Sequence, residues 1–138
     1  QKYNQIYYFP TPKIIAEDPS NVDSYLLERY KLYYVDGFSV LLKKILEKNS
    51  KASIFYPSTT FANEPPESFL SYVKIKLMGE SLCKEFAEKE GVQIFYPRLP
   101  RLPTDQTLGL VPEKFEDPMG IMYPLILRMR DLNNKRMI

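Results

Sequence analysis

Ile54-Phe55-Tyr56-Pro57-Ser58-Thr59-Thr60 is the most informative stretch of this sequence, because a β-branched and aromatic run stops at a proline and hydroxyl residues follow at once. Similar runs occur at Ile6-Tyr7-Tyr8-Phe9-Pro10 and at Ile94-Phe95-Tyr96-Pro97. Runs of this length and composition predict buried strands. Proline cannot donate to a strand ladder, so each proline is predicted to mark the end of its strand.

Two long segments with helical periodicity separate the three runs. The first is predicted to span about Val22 to Lys48, after the start signals of Asp18-Pro19-Ser20-Asn21, and the second about Pro66 to Lys89, ending at Gly91. Steps of three or four residues define the face that each helix should bury. These faces are Leu26, Tyr30, Tyr33, Gly37, Leu41 and Ile45 on the first helix, and Phe69, Val73, Leu77, Glu80 and Cys83 on the second.

The alternation of strand and helix predicts an α/β fold with an open parallel sheet. The strands are uniformly apolar, which indicates that helices cover both faces and form three layers. A proline-rich loop follows the third strand, and a last helix is predicted from Pro118 to about Asp131. Residues 1–138 are expected to form a single domain.

Composition excludes several kinds of chemistry. The 138 residues include no histidine and one cysteine, so a Ser-His-Asp triad, a histidine-ligated metal and an intrachain disulfide are all ruled out within this chain. The cysteine usage favours a reducing, cytoplasmic setting. The net charge of +2 comes from scattered basic and acidic residues, so nucleic acid is not an expected partner. We also expect no membrane association, because no apolar run approaches the roughly 20 residues of a membrane span.

Polar residues follow the predicted strands at the edge where open parallel sheets bind ligands. They are Thr11, the hydroxyls of Ser58-Thr59-Thr60, and Arg98. Tyr72 and Lys76 lie four apart on the second helix, so they share a face, and a lysine ammonium there is predicted to lower the pKa of the phenol. A plain surface pair and a simple turn cap remain the alternatives for the helix pair and the hydroxyls. Arg98 either holds an anionic group or pairs with a local acid.

The order of these residues resembles the short-chain dehydrogenase/reductase superfamily, including its epimerase/dehydratase branch. The resemblance runs from about Ile6 to Thr107 and marks the chain as the carboxyl-terminal half of a Rossmann-type domain. It is carried by Tyr34-Val35-Asp36-Gly37, Ser58-Thr59, Tyr72-Val73-Lys74-Ile75-Lys76, Gly79-Glu80, Val92-Gln93-Ile94, Pro97-Arg98-Leu99-Pro100 and Thr104.

The resemblance implies oxidation or reduction at a carbon that bears oxygen, with NAD or NADP as cofactor. Tyr72 would be the acid/base, Thr59 or Ser58 would orient the carbonyl, and Lys76 would contact the nicotinamide ribose. The other residues that it places at the cofactor are Thr11, Pro100 and Thr104.

Two departures from the family pattern qualify these expectations. The five glycines are too far apart to form the Gly-rich phosphate turn, so the first half of the fold is expected to be absent and cofactor binding by this chain alone to be weak or absent. Tyr34 stands where the family has asparagine. The leading hypothesis is therefore part of a reductase, inactive as the isolated chain; the alternative is a non-catalytic structural or interaction domain with a degenerate reductase fold. Expected partners are the upstream half of the domain, neighbouring domains or a second copy in a homodimer.

Overall fold

The computed structural model describes residues 3–21, 23–48, 52–103 and 116–135, which form strands alternating with helices. The elements are β1 (Gln5–Tyr7), α1 (Ser24–Lys31), a π-helical segment (Leu32–Asp36), α2 (Gly37–Lys48), β2 (Ser53–Phe55), β3 (Ser58–Thr59), two 3-10 turns (Thr60–Ala62 and Glu67–Phe69), α3 (Leu70–Glu90), β4 (Ile94–Phe95), β5 (Arg98–Leu99) and α4 (Pro118–Lys135).

The strands are parallel, as the sequence predicts. One sheet has the order β1-β2-β4, and β3 pairs with β5 in a second ladder. Both ladders keep the same register, since Ile54 lies opposite Ile94 and Ser58 lies opposite Arg98 at an equal separation along the chain. The two ladders are therefore two parts of a single strand pair.

Pro57 and Pro97 interrupt this strand pair but do not end it, so the prediction that each proline marks a strand end is wrong at these two positions. The N–H of Tyr56 donates to the Phe95 carbonyl at 2.8 Å, and the N–H of Ser58 donates to the Pro97 carbonyl at 2.9 Å. In a parallel ladder residue 97 would donate back to residue 56, and proline has no N–H to donate. A single bond is lost, and pairing resumes at Ser58.

Helices cover both faces of the sheet. On one face, Tyr8, Ile54 and Tyr56 pack in a core cluster with buried residues of α1, α2 and α3. On the other face, the rings of Phe55 and Phe95 lie 6.0 Å apart, and the Arg128 guanidinium of α4 lies 5.3 Å from the Phe95 ring centre. The expected three-layer arrangement of an open parallel sheet is thus present.

The first helix begins and turns differently from its prediction. Its N-cap is Asp23, whose carboxylate accepts the N–H groups of Tyr25 and Leu26, so the start signals at 18–21 lie outside the helix. The π-helical segment widens the helix, and the Gly37 N–H donates to the Leu32 carbonyl five residues back. The buried face consequently shifts by one residue in the middle of the helix; it consists of Leu26, Tyr30, Tyr34, Phe38, Leu42 and Ile45, in place of the predicted set with Tyr33, Gly37 and Leu41.

The second long helix has the predicted end, and of its predicted face Val73 and Cys83 are buried. Gly91 follows α3 at φ 62°, the left-handed backbone that ends a helix there. Leu77, predicted to be buried, is 37% exposed. The residues of α3 that are buried include Tyr72, Ile75, Lys76, Gly79 and Cys83, so the helix turns its tyrosine and lysine toward the sheet.

The last helix, α4, begins at the predicted Pro118 and continues to Lys135, four residues beyond the predicted end. Within the ranges that the structure describes, no helix combines the length and the apolar character that crossing a membrane requires.

Candidate functional site

The candidate site lies where the β2–β3 strand ends and α3 packs against it. Ser58 and Thr59 form β3, and Thr59 caps the 3-10 turn that follows by accepting the Phe61 N–H at 3.2 Å. Tyr72 and Lys76 stand on the face of α3 that is turned to this strand, and both are buried. Three of the four residues proposed as catalytic, Thr59, Tyr72 and Lys76, thus meet in one cluster.

The Thr59 hydroxyl lies next to the Tyr72 phenol. Burial raises the pKa of Tyr72 from 10.0 to about 12, and the neighbouring Thr59 hydroxyl offsets only part of that rise. The direction is opposite to the lowering that the sequence predicts. The reason is geometric: Lys76 places its charge 5.9 Å from the centre of the Tyr72 ring, and the phenol is only 8% exposed to water.

Lys76 is enclosed. Its ammonium donates to the Pro57 carbonyl at 2.7 Å and lies 3.9 Å from the ring centre of Tyr34 and 5.1 Å from that of Tyr56. The side chain is only 4% exposed. Burial lowers the pKa of Lys76 from 10.5 to about 7, because desolvation disfavours the charged form.

Ser58 belongs to a different set of contacts. Its hydroxyl donates to Glu80, which also accepts two hydrogen bonds from Arg98, at 2.9 and 2.8 Å. Arg98 donates further to Asn63 at 2.6 Å. The Arg98 guanidinium holds the pKa of Glu80 below its usual value. Of the two roles left open for Arg98, the structure shows the pairing with a local acid, Glu80. The Ser58 hydroxyl is bonded to the same ion pair.

Tyr34 is the site residue whose role the sequence did not predict. It lies in the π-helical segment, and its hydroxyl is hydrogen-bonded to Thr11 beyond the end of β1. The phenols of Tyr8 and Tyr56 donate to the backbone carbonyls of Tyr33 and Tyr34, which fixes this segment. The only feature of the sequence that could have indicated this role is the tyrosine at a position where the family has asparagine.

Among the residues assigned to a nicotinamide cofactor, Lys76 is directed into the protein. Lys76 would have to contact the ribose, yet its ammonium is directed to Pro57 and covered by rings. Thr11 is exposed but bonded to Tyr34 and to the Pro12 carbonyl. Pro100 follows β5 and is half-buried, and Thr104 lies outside the described residues.

Comparisons with known proteins support the fold. No protein-family profile matches the sequence, and no curated protein matches it. A solved short chain dehydrogenase from Salmonella enterica subsp. enterica serovar Typhi str. CT18 matches 91% of this chain with a TM-score of 0.74 and 15% identity. The chain shares its fold with part of a short-chain dehydrogenase. A second solved structure, a short chain dehydrogenase/reductase family protein, matches 68% of this chain with a TM-score of 0.55 and 18% identity.

The chain spans about half the length of these short-chain dehydrogenases, 56% of the first and 43% of the second. The predicted architecture, an open parallel sheet of Rossmann type corresponding to part of such a domain, is confirmed at the level of the fold.

Proposed function

We propose that this chain is the carboxyl-terminal half of an NAD(P)-dependent short-chain dehydrogenase/reductase-like protein, of ketoreductase or epimerase/dehydratase type. The observation that carries the proposal is the contact of the Thr59 hydroxyl with the Tyr72 phenol, with Lys76 packed beside the same ring. The cluster lies at the carboxyl end of a strand, which is the usual ligand edge of such a sheet.

Tyr72 acts as the proton donor in this proposal. Its pKa of about 12 keeps the phenol protonated at neutral pH, so it can donate to the oxygen of a carbonyl substrate. Thr59 orients that oxygen and the phenol through its hydroxyl. NAD or NADP is the cofactor expected of the complete domain. Phosphate binding would need residues beyond this chain's scattered glycines, so binding by the chain alone is weak or absent.

Replacement of Tyr72 tests this assignment in the protein completed by its upstream half. We expect Tyr72→Phe to lower the rate of NAD(P)H oxidation with a panel of small ketones by a factor of about 100 or more, because it removes the transferred proton. The dissociation constant of NAD(P)H should stay nearly unchanged. Tyr30→Phe, which removes another buried hydroxyl, is the matched control. Turnover near the wild-type rate in Tyr72→Phe would exclude the role.

A non-catalytic structural or interaction domain is the second candidate, and the burial of Lys76 favours it. A lysine 4% exposed has little access to a ligand. If this candidate is correct, calorimetry at millimolar NADH or NADPH should detect no binding to the protein completed by its upstream half. Binding in the micromolar range would exclude it.

The open edge of the sheet at β1 supports the proposal that a partner segment binds there. Within the described residues β1 pairs only with β2, and a groove of about 630 Å³ lies beside it. Ile6, Leu41 and Ile45 line the groove together with two lysines. An upstream half of the domain would cover this edge with a parallel strand, because unpaired edges favour pairing. We also propose that the protein forms a homodimer and is located in the cytoplasm.

A further inference from the structure

The Lys76 ammonium is held mainly by aromatic rings. It has one hydrogen bond among the described contacts, to the Pro57 carbonyl at 2.7 Å, whereas an ammonium has three N–H groups to donate. Tyr34 supplies the nearest ring face, 3.9 Å away, and Tyr56 and Tyr72 lie farther off at 5.1 and 5.9 Å. Since water is excluded at this depth, ring faces take over part of the solvation of the charge.

The position of the Tyr34 ring is fixed from three sides. Its hydroxyl is bonded to Thr11, its backbone carbonyl accepts the Tyr56 phenol at 3.1 Å, and its ring meets that of Tyr72 edge-on at 5.8 Å. The π-helical segment brings residue 34, and not residue 33, to the buried face. An asparagine at this position would offer Lys76 no ring face.

We propose that Tyr34 is a positioning residue whose ring stabilises the charged form of the enclosed Lys76 beside Tyr72, in place of a contact between Lys76 and a cofactor. The Tyr34 hydroxyl serves only to orient the ring through Thr11. This inference rests on the proposed function for its catalytic meaning, but the state of Lys76 is measurable without turnover.

Other groups near Lys76 define what else affects its charge. The Glu80 carboxylate on the same helix favours the charged form of Lys76, while Tyr56 faces the ammonium from the strand side and Tyr72 from α3. Cys83, also on α3, would favour the charged form only as a thiolate. The pKa of Cys83 is raised by burial, so the thiol stays neutral. A change of the Tyr34 ring alone therefore isolates the contribution of that ring.

The test is an NMR titration of Lys76 in protein carrying carbon-13 at lysine Cε, with the signal assigned by its loss in Lys76→Met. Trifluorophenylalanine at position 34 keeps the shape of a ring but removes its negative face. We expect it to lower the pKa of Lys76 by about half a unit to one unit, because a buried cation–π contact is lost. Tyr34→Phe keeps the ring face and should leave the pKa within about 0.3 unit of wild type.

Tyr30→Leu is the matched control, because the Tyr30 ring packs against those of Tyr34 and Tyr72 and is not one of the rings found over the ammonium. An unchanged Lys76 pKa with the fluorinated ring, or an equal shift in Tyr30→Leu, overturns the inference. Because the readout needs no substrate, full activity of Tyr72→Phe together with the expected Lys76 shift would defeat only the proposed function.

Discussion

Lys76 is the residue at which burial and charge conflict most directly. It is enclosed by three tyrosine rings and one carbonyl, and burial lowers its pKa to about 7 from the ordinary lysine value of 10.5. A lysine of this kind is costly to keep charged, and natural proteins retain such groups most often at functional sites. The enclosure thus agrees with a site, although it leaves little room for a direct contact with a ligand.

The lowered pKa predicts how stability depends on pH. Between about pH 7 and 10.5 the unfolded chain keeps the Lys76 proton while the folded chain releases it, so the free energy of unfolding should rise with pH, by at most about 1.4 kcal/mol per pH unit. Above pH 9 the raised pKa values of Cys83 and the buried tyrosines act in the opposite direction, because the unfolded chain then loses protons that the folded chain keeps.

Urea unfolding at pH 6, 7.5 and 8.5, followed by circular dichroism, checks this dependence. The rise should disappear in Lys76→Met, which keeps a long apolar stem and has no charge to lose. The exposed lysine two residues earlier provides the control, and Lys74→Met should retain the rise. An equal slope in wild type and Lys76→Met would show that Lys76 is not buried as described.

At the scale of elements, the contact between α3 and the β2–β3 strand depends on a missing side chain. A Cβ at Gly79 would lie 1.9 Å from the Tyr56 hydroxyl and 2.6 Å from the ring carbon that bears it. Tyr56 is fully buried, and its phenol donates to the Tyr34 carbonyl at 3.1 Å, so the ring has little freedom to move away. Glycine is therefore required here for the close approach of helix and strand.

Gly79→Ala should destabilise the protein by about 1–2 kcal/mol. Overpacking costs about 1–3 kcal/mol, and the better helix propensity of alanine returns up to about 1 kcal/mol. Thermal or urea unfolding measures the change. In a Tyr56→Phe background, where the hydroxyl is absent, the cost should be smaller, and a double-mutant cycle gives the coupling. Strict additivity would contradict the described contact.

At the scale of the whole molecule, apolar side chains are exposed on several surfaces of the described residues, and two of these surfaces could bind a second copy. One is the groove beside β1, and the other is the outer face of α3, where Leu70 and Leu77 lie two turns apart and Met78 is also exposed. Burial of such residues against a second copy is the usual basis of a symmetric dimer. The long helices are therefore candidates to pack across a two-fold axis.

Light scattering should give twice the mass of one chain, and Leu77→Glu should convert the dimer to monomer, because a carboxylate would be buried in the interface. Met119→Glu, at an exposed apolar residue of α4, is the control and should leave the dimer intact. A single monomeric species of wild type at high concentration would refute the dimer. A dimer insensitive to Leu77→Glu would shift the interface to the β1 edge.

The sequence by itself determined the alternation of strands and helices, the parallel sheet and the end of α3 at Gly91. It predicted a hydroxyl of Ser58 or Thr59 near Tyr72 but left open which of the two. These follow from local propensity, periodicity and the rule that parallel strands end at one edge. The direction of the Tyr72 pKa needed the tertiary structure because it depends on desolvation. The partners of Ser58 needed it because Glu80 and Arg98 are brought from elsewhere in the chain.

Only the tertiary structure decided which face of the first helix is buried and how Lys76 is enclosed. The π-helical segment receives hydrogen bonds from the phenols of Tyr8 and Tyr56, which lie 25 and 22 residues away in the sequence from the carbonyls that they reach. No local pattern records such contacts. They turn Tyr34 toward Lys76, and this packing, and not the YxxxK spacing, sets the charge at the site.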